Sequence, residues 1–172
     1  MSAKNYIYRF CLSLLLMIFP VHVAFSKGVI SISRASYALS VENREAVDLV
    51  SGSVFVKPNK ELYFWFEFQG GQEALNILEQ FGYLSVKTIW RSGITTTDNI
   101  EVGISQEKWL LNRRSLRKMF KEKGYFTFRT FSYKATLRNG KYEVLVKDGR
   151  NKAVSMIGEN RAYRPSIKVR KS

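Results

Sequence analysis

Cysteine and histidine are almost absent from this chain of 172 residues, which has one of each. Both lie near the N-terminus, as Cys11 and His22. If that segment is removed, the rest of the chain has no disulfide, no thiolate or imidazole metal ligand, and no catalytic triad that needs histidine or cysteine. The sequence therefore predicts no metal site and no cofactor, and a domain that its apolar core alone must stabilise.

Glycine-rich phosphate-binding motifs are also missing. Gly70-Gly71 is the one glycine pair, and no Gly-Lys-Ser/Thr follows it. Aromatic residues do alternate with basic ones, which is also a pattern of surfaces that stack nucleic-acid bases. In an exported chain we interpret this pattern as the core and the basic exterior of a sandwich, so specific nucleic-acid binding is not expected.

The first 26 residues have the composition of a secretory signal peptide. Lys4 and Arg9 come before an apolar run from Cys11 to Phe25, and Ala24-Phe25-Ser26 supplies small residues at the positions a signal peptidase reads. The run is shorter than the roughly 20 residues of a spanning helix, and Pro20 interrupts it. We predict a signal peptide over residues 1–26, a periplasmic or secreted product, and no transmembrane helix after its removal. An uncleaved membrane anchor is the alternative.

Positive charge dominates the remaining residues. Residues 27–172 hold 26 of the 28 Lys and Arg and all 14 Asp and Glu, so their formal net charge is +12. A field of this sign favours anionic neighbours. In the cell envelope these include lipopolysaccharide, phospholipid surfaces and acidic polysaccharide. The alternative is that the charge only keeps the protein soluble.

Runs with a period of two predict a β-rich domain over residues 27–158. The most regular pair, Phe126–Ala135 and Lys141–Asp148, is separated by Asn139-Gly140 and predicts a β-hairpin with a tight turn. The sequence predicts that residues 41–48 and 91–97 form loops. Short strands at this spacing favour a single immunoglobulin-like antiparallel sandwich of about seven strands. The predicted strands cover residues 28–39 (with a bulge near Arg34), 54–56, 61–68, 83–90, 100–104, 126–135, 141–148 and 153–157.

Two short helices are predicted between the strands. The first covers residues 72–81 and ends at Gly82. The second begins after Ser105, which can cap it, and ends at Gly124. Its apolar face contains Trp109, Leu116, Met119 and Phe120, and its other face contains Arg113, Arg114, Arg117, Lys118 and Lys121. This basic face is the first candidate for an anion-binding surface.

Residues 159–172 have several basic residues, no long apolar run and few acids. The composition predicts a flexible basic C-terminal tail. It adds a second candidate contact surface for an anionic ligand.

The strand at residues 61–68 supplies further candidates. Tyr63, Trp65 and Glu67 share one face of it, opposite four apolar side chains. Exposed together, Tyr63, Trp65 and Trp90 would form an aromatic platform for carbohydrate. Burial among aromatic residues would raise the pKa of Glu67. The alternatives for Glu67 are an exposed residue on the solvent face of the strand and a partner for an inward arginine.

Arg129 and Lys134 are the remaining anion-binding candidates. They are equally suited to ion pairs with Glu67 or Glu143 across a sheet. Carboxylate chemistry on a polysaccharide would need two acids facing each other across a cleft. Glu45, Asp48, Glu67 and Asp148 are the acids nearest to recognisable motifs.

Four segments in this order resemble a bacterial family of unknown function, the family numbered 2914. They are Val41-Glu-Asn-Arg-Glu-Ala-Val47, Leu62-Tyr-Phe-Trp-Phe-Glu-Phe68, Lys87-Thr-Ile-Trp90, and Phe128-Arg-Thr-Phe-Ser-Tyr-Lys134 followed by Gly140-Lys-Tyr-Glu-Val-Leu-Val-Lys-Asp148. The resemblance implies a compact β-rich domain of exported or membrane proteins. It implies no catalytic residue.

Two functional hypotheses follow from the sequence. The first is an exported, non-enzymatic module that binds an anionic envelope component or an envelope protein. The second is a cell-envelope polysaccharide hydrolase or lyase that uses carboxylates together with tyrosine or arginine.

Overall fold

The computed structural model describes residues 28–171, so the predicted signal peptide lies outside the described residues. Nine strands and two helices make up this part of the chain. The strands are β1 (Ile30–Glu42), β2 (Glu45–Val50), β3 (Ser53–Val56), β4 (Leu62–Gly70), β5 (Val86–Ser92), β6 (Thr95–Glu101), β7 (Phe126–Lys134), β8 (Gly140–Asp148) and β9 (Ser166–Lys171); the helices are α1 (Gln72–Phe81) and α2 (Gln106–Lys123).

The strands form two sheets that pack face to face. The first sheet has the order β2-β1-β4-β7, and the second has the order β3-β9-β8-β5-β6. All neighbouring strands are antiparallel except β3 and β9, which are parallel. The predicted fold class, a mainly β sandwich with two short helices, is confirmed. The described residues have nine strands where about seven were predicted.

Aromatic side chains of β4 fill the space between the sheets. Leu62, Phe64, Phe66 and Phe68 are fully buried on the inner face of β4, as the alternation predicted. Trp90 of β5 comes from the second sheet, and its ring centroid lies 6.1 Å from that of Tyr37 in β1. The Trp90 indole N–H also donates to Ser132 Oγ of β7 at 3.0 Å, which links the two sheets through a buried hydrogen bond.

Both helices end at the glycines that the sequence indicates, and α2 begins at its capping serine. Gly82 after α1 and Gly124 after α2 have φ values of 73° and 76°, in the left-handed region that glycine tolerates best. Ser105 Oγ accepts the N–H of Lys108 at 3.3 Å and caps α2. The bounds of α2 therefore follow directly from local sequence.

The predicted hairpin of residues 126–148 is wrong. β7 pairs with β4 in the first sheet, while β8 pairs with β5 and β9 in the second. The segment between them, residues 135–139, crosses from one sheet to the other and buries Leu137 in the core. A connection of that length can cross the roughly 10 Å between packed sheets. The turn-like Asn139-Gly140 is therefore compatible with two strands that lie in different sheets.

The predicted flexible tail is also wrong, because β9 lies within it. Ile167 and Val169 alternate with basic residues and are buried in the core, which gives the strand one apolar face and one basic face. β9 runs between β3 and β8, and both sides of its backbone are paired over part of its length. The basic residues of β9 are thus held on the outer face of a sheet.

Three smaller predictions need correction. Residues 41–48, predicted to be a loop, belong to the β1–β2 hairpin, whose turn residues Asn43 and Arg44 have positive φ values of 49° and 64°. Residues 91–97 form much of the β5–β6 hairpin. Residues 153–157 make only isolated bridges, such as that of Met156 with Ile32. The bulge expected near Arg34 is present as a register shift between Ile32 and Arg34.

Candidate functional site

Helix α2 packs one face on the sandwich. Trp109 and Leu116 are buried, and Met119 and Phe120 are half-buried against the same core. Met119 Sδ also lies 3.3 Å from the backbone N–H of Thr127 at the start of β7. The predicted apolar stripe is therefore confirmed, and it fixes which side of α2 faces solvent.

The opposite face of α2 is cationic. Arg113, Arg114, Arg117, Lys118 and Lys121 are all exposed; we call them the α2 basic surface. Counting every residue, the helix has seven basic and two acidic side chains. Lys108 is not part of this surface, since it is half-buried and donates to the carbonyl of Gly103 at 3.2 Å.

Only part of this charge is neutralised. Arg117 Nε lies 2.9 Å from Glu79 Oε1 of α1, and its guanidinium stacks 5.7 Å from the centre of the Trp109 ring. Lys118 Nζ lies 3.9 Å from Glu122. Arg113, Arg114 and Lys121 form no ion pair with any residue between 28 and 171. These three side chains are the cations available to a ligand.

Two leucines are exposed beside the α2 basic surface. Leu110 is 62% exposed and Leu111 is 76% exposed, although both are large and apolar. The sequence analysis missed them. At 100° per residue, Leu110 and Leu111 fall on the same side of the helix as Arg114 and away from Leu116, which is a signal that the sequence contains.

The other two anion-binding candidates lie elsewhere and have carboxylate partners. Arg129, on the outer face of β7, contacts Glu45 and places its Nε 3.0 Å from Glu67 Oε2. The buried Lys134 forms an ion pair with Asp98. The structure does not bring Arg129 and Lys134 together with the α2 basic surface.

Glu67 is the centre of a buried polar cluster on the outer face of the first sheet. Its carboxylate accepts hydrogen bonds from Ser33 Oγ at 2.8 Å, from Arg34 at 3.0 Å and from Arg129 at 3.0 Å. Burial alone would raise the pKa of Glu67, but these hydrogen bonds outweigh it and lower the pKa below 4.5. The expected rise is therefore wrong, and the alternative of an ion pair with arginine is confirmed.

Replacing Glu67 by glutamine is expected to lower the free energy of unfolding at pH 7 by about 2 kcal/mol, because an amide cannot satisfy two guanidinium groups. Because folding lowers the pKa of Glu67, the charged carboxylate stabilises the protein at pH values above 4.5, its ordinary pKa. This contribution is lost as the pH falls from 4.5 through the folded-state pKa. Urea unfolding at pH 7 and pH 3.5 tests both points.

Glu79→Gln is the matched control, since Glu79 pairs with Arg117 at an exposed site. Its expected cost is below about 0.5 kcal/mol. The two variants should also differ in their pH response, with the stability gap between Glu67→Gln and the wild type narrower at pH 3.5 than at pH 7. An equal gap at both pH values would contradict the assigned charge of Glu67.

The predicted aromatic platform is wrong. Trp90 is fully buried between the sheets, whereas Tyr63 and Trp65 lie on the outer face of the first sheet. Trp65 is also buried, because the tip of the β1–β2 hairpin covers it: its indole N–H donates to the Arg44 carbonyl at 2.7 Å. The three rings cannot contact one ligand.

A different aromatic cluster is exposed around Tyr63. The ring centroids of Phe131 and Tyr133 lie 5.8 Å and 5.7 Å from that of Tyr63. The Tyr63 hydroxyl donates to Glu61, and this hydrogen bond, followed by burial, raises the pKa of Tyr63 to about 12. Alternation along β7 places Phe131 and Tyr133 beside Tyr63, but strand pairing with β4 was needed to see this.

Each of the four acids considered for polysaccharide chemistry has a structural partner. Glu45 and Glu67 share Arg129, and Asp48 lies 3.4 Å from Ser40 Oγ. Asp148 is buried and accepts backbone N–H groups of Val29, Arg150 and Lys152 at 3.2, 3.0 and 2.9 Å. This arrangement does not favour the hydrolase hypothesis, which requires a general acid that holds its proton near neutral pH.

Among residues 28–171, no group of three His, Cys, Asp or Glu side chains is placed to hold a metal ion. Neither helix of that part of the chain combines the length and apolar content that crossing a bilayer requires.

Comparison with solved structures finds chains that are similar to this one. No family model matches the chain, and no curated protein matches it in sequence. A crystal structure described as an immunoglobulin-like protein from Pseudomonas aeruginosa is similar over 84% of this chain and 99% of that chain. The two are 14% identical, and the TM-score is 0.44.

Proposed function

We propose that this protein is an exported, non-enzymatic module that binds an anionic component of the cell envelope through the α2 basic surface. Three unpaired cations on one rigid helix face, Arg113, Arg114 and Lys121, support this proposal more than any other observation. α2 packs on the sandwich through Trp109 and Leu116, so the charges are held in a fixed arrangement at the surface. Residues 1–26 would direct export, and the resemblance to a family of exported β-rich domains agrees with that role.

The charge of the whole protein does not by itself predict where a ligand binds. Basic residues also lie on β9 and on the β3–β4 turn, so a generic electrostatic attraction would act over several faces. At a dedicated site, by contrast, affinity depends on where in the protein the positive charges lie. The test is therefore to remove the same amount of charge from α2 and from elsewhere.

Changing Arg113, Arg114 and Lys121 to alanine is expected to weaken binding to anionic vesicles about 100-fold, at about 1 kcal/mol for each cation near the surface. The measurement is sedimentation of residues 27–172 with vesicles of phosphatidylglycerol and phosphatidylcholine at 0.1 M NaCl. Dextran sulfate, a soluble polyanion, provides a second probe by fluorescence anisotropy. Binding to both probes should weaken as salt rises.

The matched control replaces Lys57, Lys60 and Lys87 by alanine. These lysines are exposed, lie on strands and turns away from α2, and form no ion pair within residues 28–171. The net charge falls by three in both variants, so generic attraction predicts equal losses. Equal losses, or no binding to either probe by the wild type, would refute the α2 site.

A further inference from the structure

We propose that the anionic component is the surface of a phospholipid bilayer, and that Leu110 and Leu111 enter it while the α2 basic surface contacts the headgroups. This inference rests on the proposed function and specifies its ligand. The two leucines carry it, since both are large apolar side chains that the described part of the chain, residues 28–171, leaves mostly exposed.

The leucines and cations share one side of α2. At 100° per residue, Leu110, Leu111, Arg114, Lys118 and Lys121 fall within an arc of about 100°. Trp109 and Leu116 point the other way, into the core. Lys and Arg side chains are long enough to keep their charge at headgroup level while shorter apolar side chains beside them go deeper. The arc therefore has the composition of a membrane-contacting face.

Two exposed aromatic residues lie near the start of α2. Phe81 is 51% exposed and Tyr83 is 49% exposed, and their ring centroids lie 6.4 Å apart. Gly82 between them lies beside Gln106 and Trp109: an added β-carbon would be in ordinary van der Waals contact with Gln106 Cγ, at 3.6 Å. The end of α1 thus places two rings next to the start of α2, where amphipathic rings suit the membrane interface.

A bilayer uses every part of this face, and a soluble polyanion uses only its charge. Dextran sulfate or an acidic polysaccharide would be held by Arg113, Arg114 and Lys121 and would leave Leu110 and Leu111 in water. Transfer of a leucine side chain from water into an apolar environment is favourable. A bilayer surface combines that gain with attraction to anionic headgroups, and this complementarity favours phospholipid over the other polyanions.

The test replaces Leu110 and Leu111 by serine in the full exported chain, residues 27–172. Binding to vesicles of phosphatidylglycerol and phosphatidylcholine is expected to weaken at least tenfold, with binding to dextran sulfate unchanged. The wild type should retain part of its vesicle binding at 0.5 M NaCl, because apolar contacts are not screened by salt, and the variant should lose that part. Tryptophan fluorescence and thermal unfolding confirm that each variant is folded.

Ile94→Ser is the control for a lost apolar side chain. Ile94 is fully exposed in the turn between β5 and β6, at the opposite end of β6 from the start of α2. Its replacement is expected to leave vesicle binding unchanged.

The possible outcomes separate the two proposals. If the leucine variant binds vesicles as the wild type does while the α2 cation variant does not, the α2 site stands and insertion into the bilayer is refuted; the leucines would then suit a protein partner. If the leucine variant also loses its binding to dextran sulfate, the leucines are not specific for a bilayer, and the inference is again refuted. If the wild type binds neither probe, the proposed function itself fails.

Discussion

Removing residues 166–172 is expected to prevent the protein from folding. β9 lies between β3 and β8, so its loss leaves two strands without the partner that each has in the structure. It also removes Ile167 and Val169 from the core, at about 1.5–3 kcal/mol for each side chain. Together with the lost backbone pairing, the lost burial approaches the free energy of unfolding of a whole domain, which is roughly 5–15 kcal/mol.

Far-UV circular dichroism and urea unfolding of residues 27–165 and 27–172 would measure this effect. Arg170→Ser is the control for the full-length chain, because Arg170 is exposed on the outer face of β9 and its replacement removes only its contact with the Phe55 ring, at a cost of about 1 kcal/mol or less. A truncated chain with an unchanged unfolding midpoint would instead agree with a flexible tail. The two descriptions of this segment thus predict opposite results.

Replacing Trp90 by alanine is expected to lower the free energy of unfolding by about 4 kcal/mol. Trp90 is fully buried, packs near Tyr37 and donates its indole N–H to Ser132 in the opposite sheet. The substitution opens a cavity between the sheets that surrounding side chains can fill only in part. Urea unfolding monitored by circular dichroism measures the loss. A cost below about 1 kcal/mol would mean that Trp90 is exposed, as an aromatic platform would require.

Two further variants separate packing from hydrogen bonding at Trp90. Trp90→Phe keeps an aromatic ring but leaves the buried Ser132 hydroxyl without its donor. Adding Ser132→Ala should then recover about 1 kcal/mol relative to Trp90→Phe alone. If the second change costs further stability, the hydroxyl has another role in the core.

Local signals in the sequence were sufficient for the helices and for the two faces of β4. The capping Ser105 and the glycines after each helix act within one turn, so they set the helix ends whatever surrounds them. Alternation along residues 62–68 fixed which side chains face the core, because a strand has a period of two in any sheet. These predictions needed no knowledge of strand partners.

Strand pairing was not predictable in the same way. β7 and β8 alternate clearly, but alternation does not state which strand lies alongside, and Asn139-Gly140 is compatible with both a hairpin and a crossing. β9 was missed because its apolar side is only Ile167 and Val169 among basic residues. The β1–β2 turn was missed because arginine rarely adopts the positive φ that Arg44 has here.

The candidate site was predicted in part for the same reason. The α2 basic surface depends on one helix, and the sequence located all five of its residues. Glu67, Arg129 and Trp90 depend on neighbours from other strands, and their surroundings could not be inferred. Whether a charged side chain is free or paired is decided by tertiary contacts, as the pairing of Arg129 with both Glu45 and Glu67 illustrates.

The position of β9 also determines the order in which the sandwich can form. Ser53 of β3 pairs with Lys168 of β9, so this contact closes a loop of about 115 residues. The chain is synthesised from its N-terminus, so β3 has no neighbour in its sheet until residues 166–171 have been made. Contacts so distant in sequence slow folding, because chain entropy is lost before the pairing can compensate for it. The pairing of β3 with β9 is therefore expected to form late, and the second sheet to be completed only after residues 166–171 have been made.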